Sequence, residues 1–416
     1  MAERYFDWPE IYAALAPTPA VTRKKAIASA RQIMFDIDRR GWLPGTMVGS
    51  QKDLKDRCNI GRDTLREAVR LLEDRGAAWM RRGPSGGLII LPSCEQTAVQ
   101  NVSRFLALAL PTSDDIREAW AVLGCLCRYS AAAVSRGELP LPRTVRLQGA
   151  SRTECLTSPD IFVHFFSRCL AELDPDPAQP IASLDDDQSK RPMARAKAPL
   201  VRAAILMLVR DIERSRRLGL SRVGTEDELC DRYNVSRQVL RQAIRVLESQ
   251  GAAQSQRGRA LSIMATDGTQ SSGSVVDVAV IHFSSLGVTR NDIDAVNYML
   301  PTVMLNKAMS HATPSDHRLM LRVFDQMADW DDPSHLTQGC HMIWRMVRNP
   351  ILCLMDQTLM AFVAYLLNAY GNFDAGRGLA VQDKIREKQH AVLAGNRDLA
   401  DRIGIEIHMA GRALFY

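Results

Sequence analysis

The sequence predicts a mainly α-helical protein with small β-hairpin wings, in which two similar three-helix units are each followed by a longer helical segment. The chain of 416 residues is long enough for two or three domains, and 46% of its residues are hydrophobic. Two segments are strongly basic: residues 21–93 contain 15 basic and 8 acidic residues, and residues 195–264 contain 14 and 7. Because the net charge of the whole chain is only +6, the remainder is acidic. This distribution predicts two polyanion-binding surfaces, carried by a protein whose remaining part has another function.

The two basic segments contain a repeat. Residues 49–83 align with residues 224–258 without a gap, and 17 of these 35 positions are identical. The spacing between the copies is far longer than the 20 to 50 residues of a solenoid repeat. The repeat therefore predicts duplication of a whole domain or more.

Each copy of the repeat predicts the same order of elements. A first helix, at 23–39 or 201–214, has apolar residues at helical spacing. A short helix, a tight turn and a third helix follow, and the third helix ends at Gly76 or Gly251. The residues beyond it, 81–90 and 256–263, predict a β-hairpin with a basic tip.

The third helix carries the functional prediction. Its apolar residues recur at i, i+3, i+4 and i+7 and predict a buried stripe: Leu65, Ala68, Val69 and Leu72, and Leu240, Ala243, Ile244 and Leu247. Arginines spaced by four lie on a different face: Arg62, Arg66 and Arg70, and Arg237, Arg241 and Arg245. A planar guanidinium group binds phosphate oxygens and guanine edges with two hydrogen bonds, so this face suits the DNA major groove. Ordinary solvated helix faces are the alternative, which two segments of equal charge disfavour.

These residues resemble the winged helix-turn-helix domain of GntR-type transcription regulators. The resemblance lies in residues 44–54 and 59–69 of the first copy and in residues 225–229 and 234–244 of the second. It implies DNA contacts by Lys52, Arg62, Asp63, Thr64, Arg66, Arg82 and Gly83 in the first copy, and by Arg237, Gln238, Arg241, Arg257 and Gly258 in the second.

Two departures from the family pattern predict that the copies are unequal. Gly61 replaces the Ser or Thr that caps the third helix, whereas Ser236 keeps it. Asp227 stands where Lys52 stands, and an acid that faces phosphate is repulsive. We therefore expect different base preferences, set by Asp63 and Thr64 in one copy and by Gln238 and Val239 in the other.

The segments after each copy resemble the all-helical FCD effector domain of FadR-type GntR regulators, with amphipathic helices that start near Thr112 and Val288. The resemblance divides the chain into five parts: a first winged unit at 18–93, a truncated FCD-like segment at 97–173, a flexible linker at 174–198, a second winged unit at 199–266 and an FCD-like effector domain at 275–416. Residues 174–198 predict a flexible linker because they contain several prolines and three consecutive aspartates.

Many FCD domains hold a divalent metal through one Asp and three His, and the metal binds a small carboxylate. The first copy has the Asp160–His164 pair, but in the second copy position 337 is Thr, and His390 and His408 are out of register. We therefore assign no cofactor and expect an apolar pocket without metal, with a divalent metal as the alternative. The residues predicted for effector binding are His341, His390 and His408, and the effector expected from the resemblance is a small molecule such as a carboxylate.

The leading functional hypothesis is a sequence-specific, DNA-binding transcription regulator that acts as a repressor and responds to a small-molecule effector in its C-terminal helical domain. Its expected partner is double-stranded DNA with an imperfect palindrome, and both a homodimer and an internal pseudo-dimer remain open. The alternative is a ligand- or protein-binding module whose DNA readers have decayed. An enzyme is not expected, because the sequence has no nucleophile elbow, no His-Glu-x-x-His helix and no phosphate-binding loop.

The remaining sequence features predict a cytoplasmic protein. The sequence has no run of about eighteen apolar residues and no secretory signal, so no membrane partner is expected. Its nine cysteines are scattered without a Cys-x-x-Cys pair. This pattern predicts reduced, mostly buried thiols rather than disulfides or a structural zinc site.

Overall fold

The computed structural model describes most of the chain. The described residues are 8–16, 24–39, 41–83, 86–109, 111–137, 139, 149–174, 204–205, 207–208, 211–212, 214–215, 222–249, 253–254, 261–263, 273–327, 334–370, 384, 387–388, 390–392 and 396–413. The predicted linker, 174–198, lies outside these residues except for Asp174.

The described residues are mostly helical, which confirms the predicted mainly α-helical class. The helices are α1 (Trp8–Leu15), α2 (Lys24–Arg39), α3 (Gln51–Cys58), α4 (Arg62–Asp74), α5 (Glu95–Leu108), α6 (Ser113–Arg136), α7 (Arg152–Leu156), α8 (Ile161–Leu173), α9 (Glu226–Tyr233), α10 (Arg237–Ser249), α11 (Gly273–Ser285), α12 (Asp294–His311), α13 (Pro314–Met327), α14 (Ser334–Val347), α15 (Pro350–Tyr370) and α16 (Arg397–Ala413). The strands are β1 (Met47–Gly49), β2 (Ala78–Met80), β3 (Leu88–Ile90), β4 (Arg222–Gly224), β5 (Ala253–Gln254) and β6 (Leu261–Ile263). Helical residues also occur between 204 and 215, and a 3-10 turn at Asn291–Ile293 precedes α12.

Each winged unit has one small antiparallel sheet with the same strand order. The order is β1-β3-β2 in the first unit and β4-β6-β5 in the second. In both units a strand is followed by a short helix, a longer helix and the two remaining strands. In each unit, the strand that precedes the short helix therefore pairs with the second strand of the hairpin.

The core of the first winged unit forms where α2 packs against α4. Ala30, Ile33, Met34 and Ile37 of α2 are buried, as the helical spacing predicts. The stripe Leu65, Ala68, Val69 and Leu72 of α4 is also buried. Full burial of a Leu or Ile side chain contributes about 1.5–3 kcal/mol, so this contact accounts for much of the stability of the unit.

The helices after the two winged units, α5 to α8 and α11 to α16, form one helical body. Within it α5 packs against α11, and α6 packs against α12. The rings of Phe162 and Phe165 from α8 meet Phe283 of α11, and Phe283 meets Phe362 of α15. Phe166 packs against both Phe162 and Phe165. Helices from the predicted segments 97–173 and 275–416 therefore share a single core.

The first winged unit is joined to the helical body by a buried charged cluster. Asp277 of α11 is fully buried, and its carboxylate lies 2.7 Å from Nη2 of Arg75 and 3.1 Å from Nε of Arg31. The hydroxyl of Tyr12 donates a hydrogen bond of 2.7 Å to the same carboxylate. Arg31 also donates to the carbonyl oxygen of Ala16. Since Arg75 directly follows α4, this cluster fixes the end of that helix to the body.

The second winged unit has a core of its own. Its buried side chains come from the helical residues between 204 and 215, from β4, and from α9 and α10, and they form a cluster separate from the main core. This cluster contains the predicted stripe Leu240, Ala243, Ile244 and Leu247.

The cysteines are free, as predicted, but fewer are buried than expected. All nine are thiols without a disulfide, and four of them are buried: Cys155, Cys169, Cys340 and Cys353. Four others are half-buried, and Cys94 is exposed. In the described part of the chain, no helix is both long and apolar enough to cross a membrane.

Candidate nucleic-acid interface

The candidate interface of the first winged unit is built on the turn between α3 and α4. Ser50 caps α3: its hydroxyl accepts from the Asp53 backbone, while the Asp53 carboxylate accepts from the Ser50 backbone at 2.9 Å. The hydrogen bonds that the Ser50 backbone and hydroxyl donate to the Asp53 carboxylate lower the pKa of Asp53. Asn59 ends α3 in the left-handed region with φ 49°, which Asn tolerates better than most residues. Gly61 then starts α4 without a side-chain cap, as the sequence predicted.

The buried stripe of α4 places its arginines in solvent. Arg62, Arg66 and Arg70 are exposed, and Arg66 lies 3.4 Å from Asp63 of the same helix. Of the other predicted contact residues, Lys52 and Asp63 are exposed and Thr64 is half-buried. The first winged unit therefore presents a basic helix face without withdrawing it into the core.

The wing of the first unit places Arg82 and Gly83 at the surface. Both residues are exposed, and they follow β2 in the loop that leads to β3. Gly83 has φ 113°, a conformation that L-residues with a side chain rarely adopt. A Cβ atom on Gly86 would lie 2.3 Å from the carbonyl oxygen of Arg81. The hairpin loop thus requires glycine at both positions.

An identical pair of residues supports each helix-turn-helix from behind. In the first unit Arg57 lies 3.4 Å from Asp36 of α2 and donates to the Val48 carbonyl at 2.8 Å. In the second unit Arg232 lies 2.5 Å from Asp211. Since Arg57 and Arg232 are equivalent positions of the repeat, their shared role is to hold the short helix on the first helix.

The second winged unit exposes the same arginines but pairs them differently. Arg237, Gln238 and Arg241 are exposed, and Ser236 caps α10 by accepting from the Val239 backbone at 3.4 Å. Nη2 of Arg237 lies 2.7 Å from Oδ1 of Asp227, and the two residues form an ion pair across the turn.

A second ion pair crosses the same turn. Nε and Nη2 of Arg241 both lie 2.9 Å from Oε2 of Glu226. The hydrogen bond that Arg241 donates to Glu226 raises the pKa of Arg241. The predicted contact residues Arg257 and Gly258 lie outside the described residues, as does the side chain of Arg245.

The three histidines predicted for effector binding make different contacts. Nε2 of His341 is 3.1 Å from the Ala14 carbonyl oxygen, so this ring joins α14 to α1. Nε2 of His408 is 2.5 Å from Oδ1 of Asp294 and joins α16 to α12. His390 is exposed.

The Asp160–His164 pair does not fit a metal site. Oδ1 of Asp160 accepts from the backbone of Phe162 and Val163, which caps α8, and burial raises the pKa of Asp160. Nε2 of His164 lies 3.1 Å from Glu95, while its Nδ1 is bonded to a carbonyl oxygen. Among the described residues, no group of three or more His, Cys, Asp or Glu could hold a metal ion.

One cavity of about 160 Å³ lies beside α12 and α16. Its lining combines polar and apolar side chains, among them Thr302, Asn306, Met309, Lys388, Val392 and Asp401. Burial lowers the pKa of Lys388, and the charge of Asp401 partly offsets this effect.

The comparison with known families identifies the second winged unit. Residues 200–263 match the family described as "Bacterial regulatory proteins, gntR family". Over these residues the chain is similar to a GntR-type DNA-binding domain. This match supports a DNA-binding transcription regulator with DNA as its partner. No curated protein matches the chain.

Proposed function

We propose that the chain is a sequence-specific transcription regulator that uses both winged units, with non-identical contact residues, and responds to a small molecule bound in the helical body. Repression is the expected result of DNA binding. The GntR-type match covers the second unit, and the same order of elements and strands in the first unit supports a second reader of the same kind.

The observation that carries this proposal is the arginine face of α4. Arg62, Arg66 and Arg70 recur on the exposed side of a helix whose opposite side is buried, and exposed Lys52 lies on the preceding helix. Guanidinium groups at this spacing reach phosphates and base edges along one major groove. The proposed contact residues of the first unit are Lys52, Arg62, Asp63, Thr64, Arg66, Arg82 and Gly83, and those of the second are Arg237, Gln238, Arg241, Arg257 and Gly258.

The helical body supports an internal pseudo-dimer over a homodimer. Helices that follow the first winged unit pack on their counterparts after the second, α5 on α11 and α6 on α12. The rings of Tyr129 and Tyr298 stack across the second of these contacts, with centroids 6.1 Å apart. One chain then supplies both readers, and because their contact residues differ, the operator is an imperfect palindrome.

DNA binding by the double variant Arg62→Ala/Arg66→Ala tests the proposal. Genomic fragments selected by the purified protein supply the operator. We expect the variant to lose at least about 2 kcal/mol of operator affinity, or about 30-fold, with a shallower dependence on salt.

The matched control for this experiment is Arg117→Ala/Arg402→Ala, which removes two exposed arginines from the helical body. It should bind as the wild type does. Equal affinity of all three proteins would instead favour the second candidate, a ligand- or protein-binding module with decayed readers. The departures at Gly61 and Asp227 favour that candidate.

The cavity beside α12 and α16 is the proposed effector site. Lys388 offers an ammonium group in a largely desolvated position, and a small carboxylate would form an ion pair with this group. His341, His390 and His408 remain the residues predicted from the sequence. A thermal-shift screen of small carboxylic acids tests this site: a stabilising acid should lose its effect in Lys388→Met and keep it in Lys384→Met, whose ammonium pairs with Glu406.

A further inference from the structure

The short helices of the two winged units carry opposite charge. Helix α3 contains three basic residues, Lys52, Lys55 and Arg57, and two aspartates. Helix α9 contains one basic residue, Arg232, and four acidic residues, which are Glu226, Asp227, Glu228 and Asp231. Glu226 and Asp227 take the places of Gln51 and Lys52 in the repeat. The helix that precedes the arginine face is therefore basic in one unit and acidic in the other.

These two acids are paired with the arginines that the proposed function assigns to DNA. Asp227 lies 2.7 Å from Arg237, and Glu226 contacts Arg241 through Nε and Nη2, each at 2.9 Å. In the first unit Arg66 instead pairs with Asp63 of its own helix, at the longer distance of 3.4 Å. The contacts across the turn thus distinguish the second unit.

The four side chains are all accessible to solvent. Arg237 and Asp227 are 65% and 69% exposed, and Arg241 and Glu226 are 57% and 38% exposed. An exposed pair is weak, with at most about a fivefold effect on an equilibrium, so DNA phosphates can displace it. The displaced acids stay on the adjacent helix, where they repel phosphates.

We propose that Glu226 and Asp227 are affinity-determining residues that restrain the second winged unit: they compete with DNA for Arg241 and Arg237, so this unit binds DNA weakly unless the first unit has already bound. This inference rests on the proposed function and deepens it. Attachment to the same chain makes the second contact intramolecular, and an effective concentration in the millimolar range offsets a weak intrinsic affinity. The first unit provides the initial affinity, and the second contributes discrimination.

The experiment measures the second unit within the full chain. Arg62→Ala/Arg66→Ala removes the arginine contacts of the first unit and serves as the background. Glu226→Gln/Asp227→Asn is added to it, and a labelled random-sequence duplex of about 30 base pairs is titrated at several salt concentrations by fluorescence anisotropy. The matched control adds Asp114→Asn/Glu387→Gln, which removes two exposed acids from the helical body.

We expect Glu226→Gln/Asp227→Asn to tighten binding about tenfold over the background, with a steeper slope against salt by about one to two units. The control should change binding by less than about twofold. Circular dichroism checks that α9 is retained, since the hydrogen bond from the Thr225 backbone to Glu228 is unaltered.

Two results overturn the inference. An effect no larger than that of the control shows that the acids do not restrain binding. Weaker binding shows that the acids instead orient the arginines for DNA. Both results leave the proposed function standing if the wild type binds the duplex, whereas no binding by any of the four proteins overturns the proposed function as well.

Discussion

Replacement of Asp277 by Asn should destabilise the attachment of the first winged unit to the helical body. The carboxylate is fully buried and is the charged partner of both Arg31 and Arg75, whose side chains are 6% and 5% exposed. Asparagine keeps an acceptor for the Tyr12 hydroxyl but removes the negative charge. Two guanidinium groups then remain in the interior without a counter-ion.

The size of the effect follows from this geometry. Removal of one partner from a buried ion pair costs about 3–5 kcal/mol, because the other charge stays desolvated. Asp277 has two such partners, at 2.7 and 3.1 Å, so the upper part of that range applies. For a unit of this size each kcal/mol lowers the melting temperature by roughly 2 °C, so we expect a decrease of about 8–10 °C.

Thermal unfolding monitored by circular dichroism measures this decrease. The control is Asp114→Asn, which breaks an ion pair of 2.6 Å with Arg117 whose side chains are 79% and 77% exposed. An exposed pair contributes at most about 1 kcal/mol, so the control should lower the melting temperature by about 2 °C or less. If Asp277→Asn shifts the transition no more than Asp114→Asn does, the charged cluster does not hold the first unit on the helical body.

Three further substitutions test local features. Burial raises the pKa of Asp356 to about 6, above its ordinary value of 3.8. Its protonated form therefore stabilises the fold fully below about pH 4, and this stabilisation is lost as the pH rises through 6. Melting curves should show Asp356→Asn about 3 kcal/mol more stable than the wild type at pH 7.5, with no advantage near pH 4. Gly61→Ser should raise the free energy of unfolding of the first unit by a few tenths of a kcal/mol, because a Cβ there meets open space and the hydroxyl can cap α4 as Ser236 caps α10; unchanged urea unfolding would contradict this. Gly124→Ala should destabilise by about 1–3 kcal/mol in the same assay, since its Cβ would lie 2.9 Å from the Ala150 backbone, and a neutral result would show that residues 149–150 move freely.

The sequence was sufficient for the local structure of the winged units. The i, i+3, i+4, i+7 stripe of α4 is buried, and α3 begins at the predicted residue, because these features depend on neighbours within one turn of helix. The exposed arginines follow directly from that stripe. The replacement of Lys52 by Asp227 was also visible in the repeat, but the ion pair between Asp227 and Arg237 was not predicted.

The sequence failed where contacts are distant along the chain. Helix α11 was not predicted, since nearly every side chain from Val275 to Phe283 is buried and its apolar pattern has no 3.6-residue period. Helices α1 and α5 were missed as well. The role of Asp277 depends on Tyr12, which is 265 positions away, so no local pattern reveals it.

The two winged units differ in how motion of the body can reach them. Arg75 directly follows α4, and its guanidinium is held on Asp277 of α11. A shift of α11 must therefore carry the end of α4 with it or break a buried ion pair, which is the costlier alternative. The equivalent position of the repeat in the second unit is Gln250, which has no charge to form such a pair. A displacement of α11 would thus act directly on the first winged unit, whereas Gln250 offers the second unit no such ionic link.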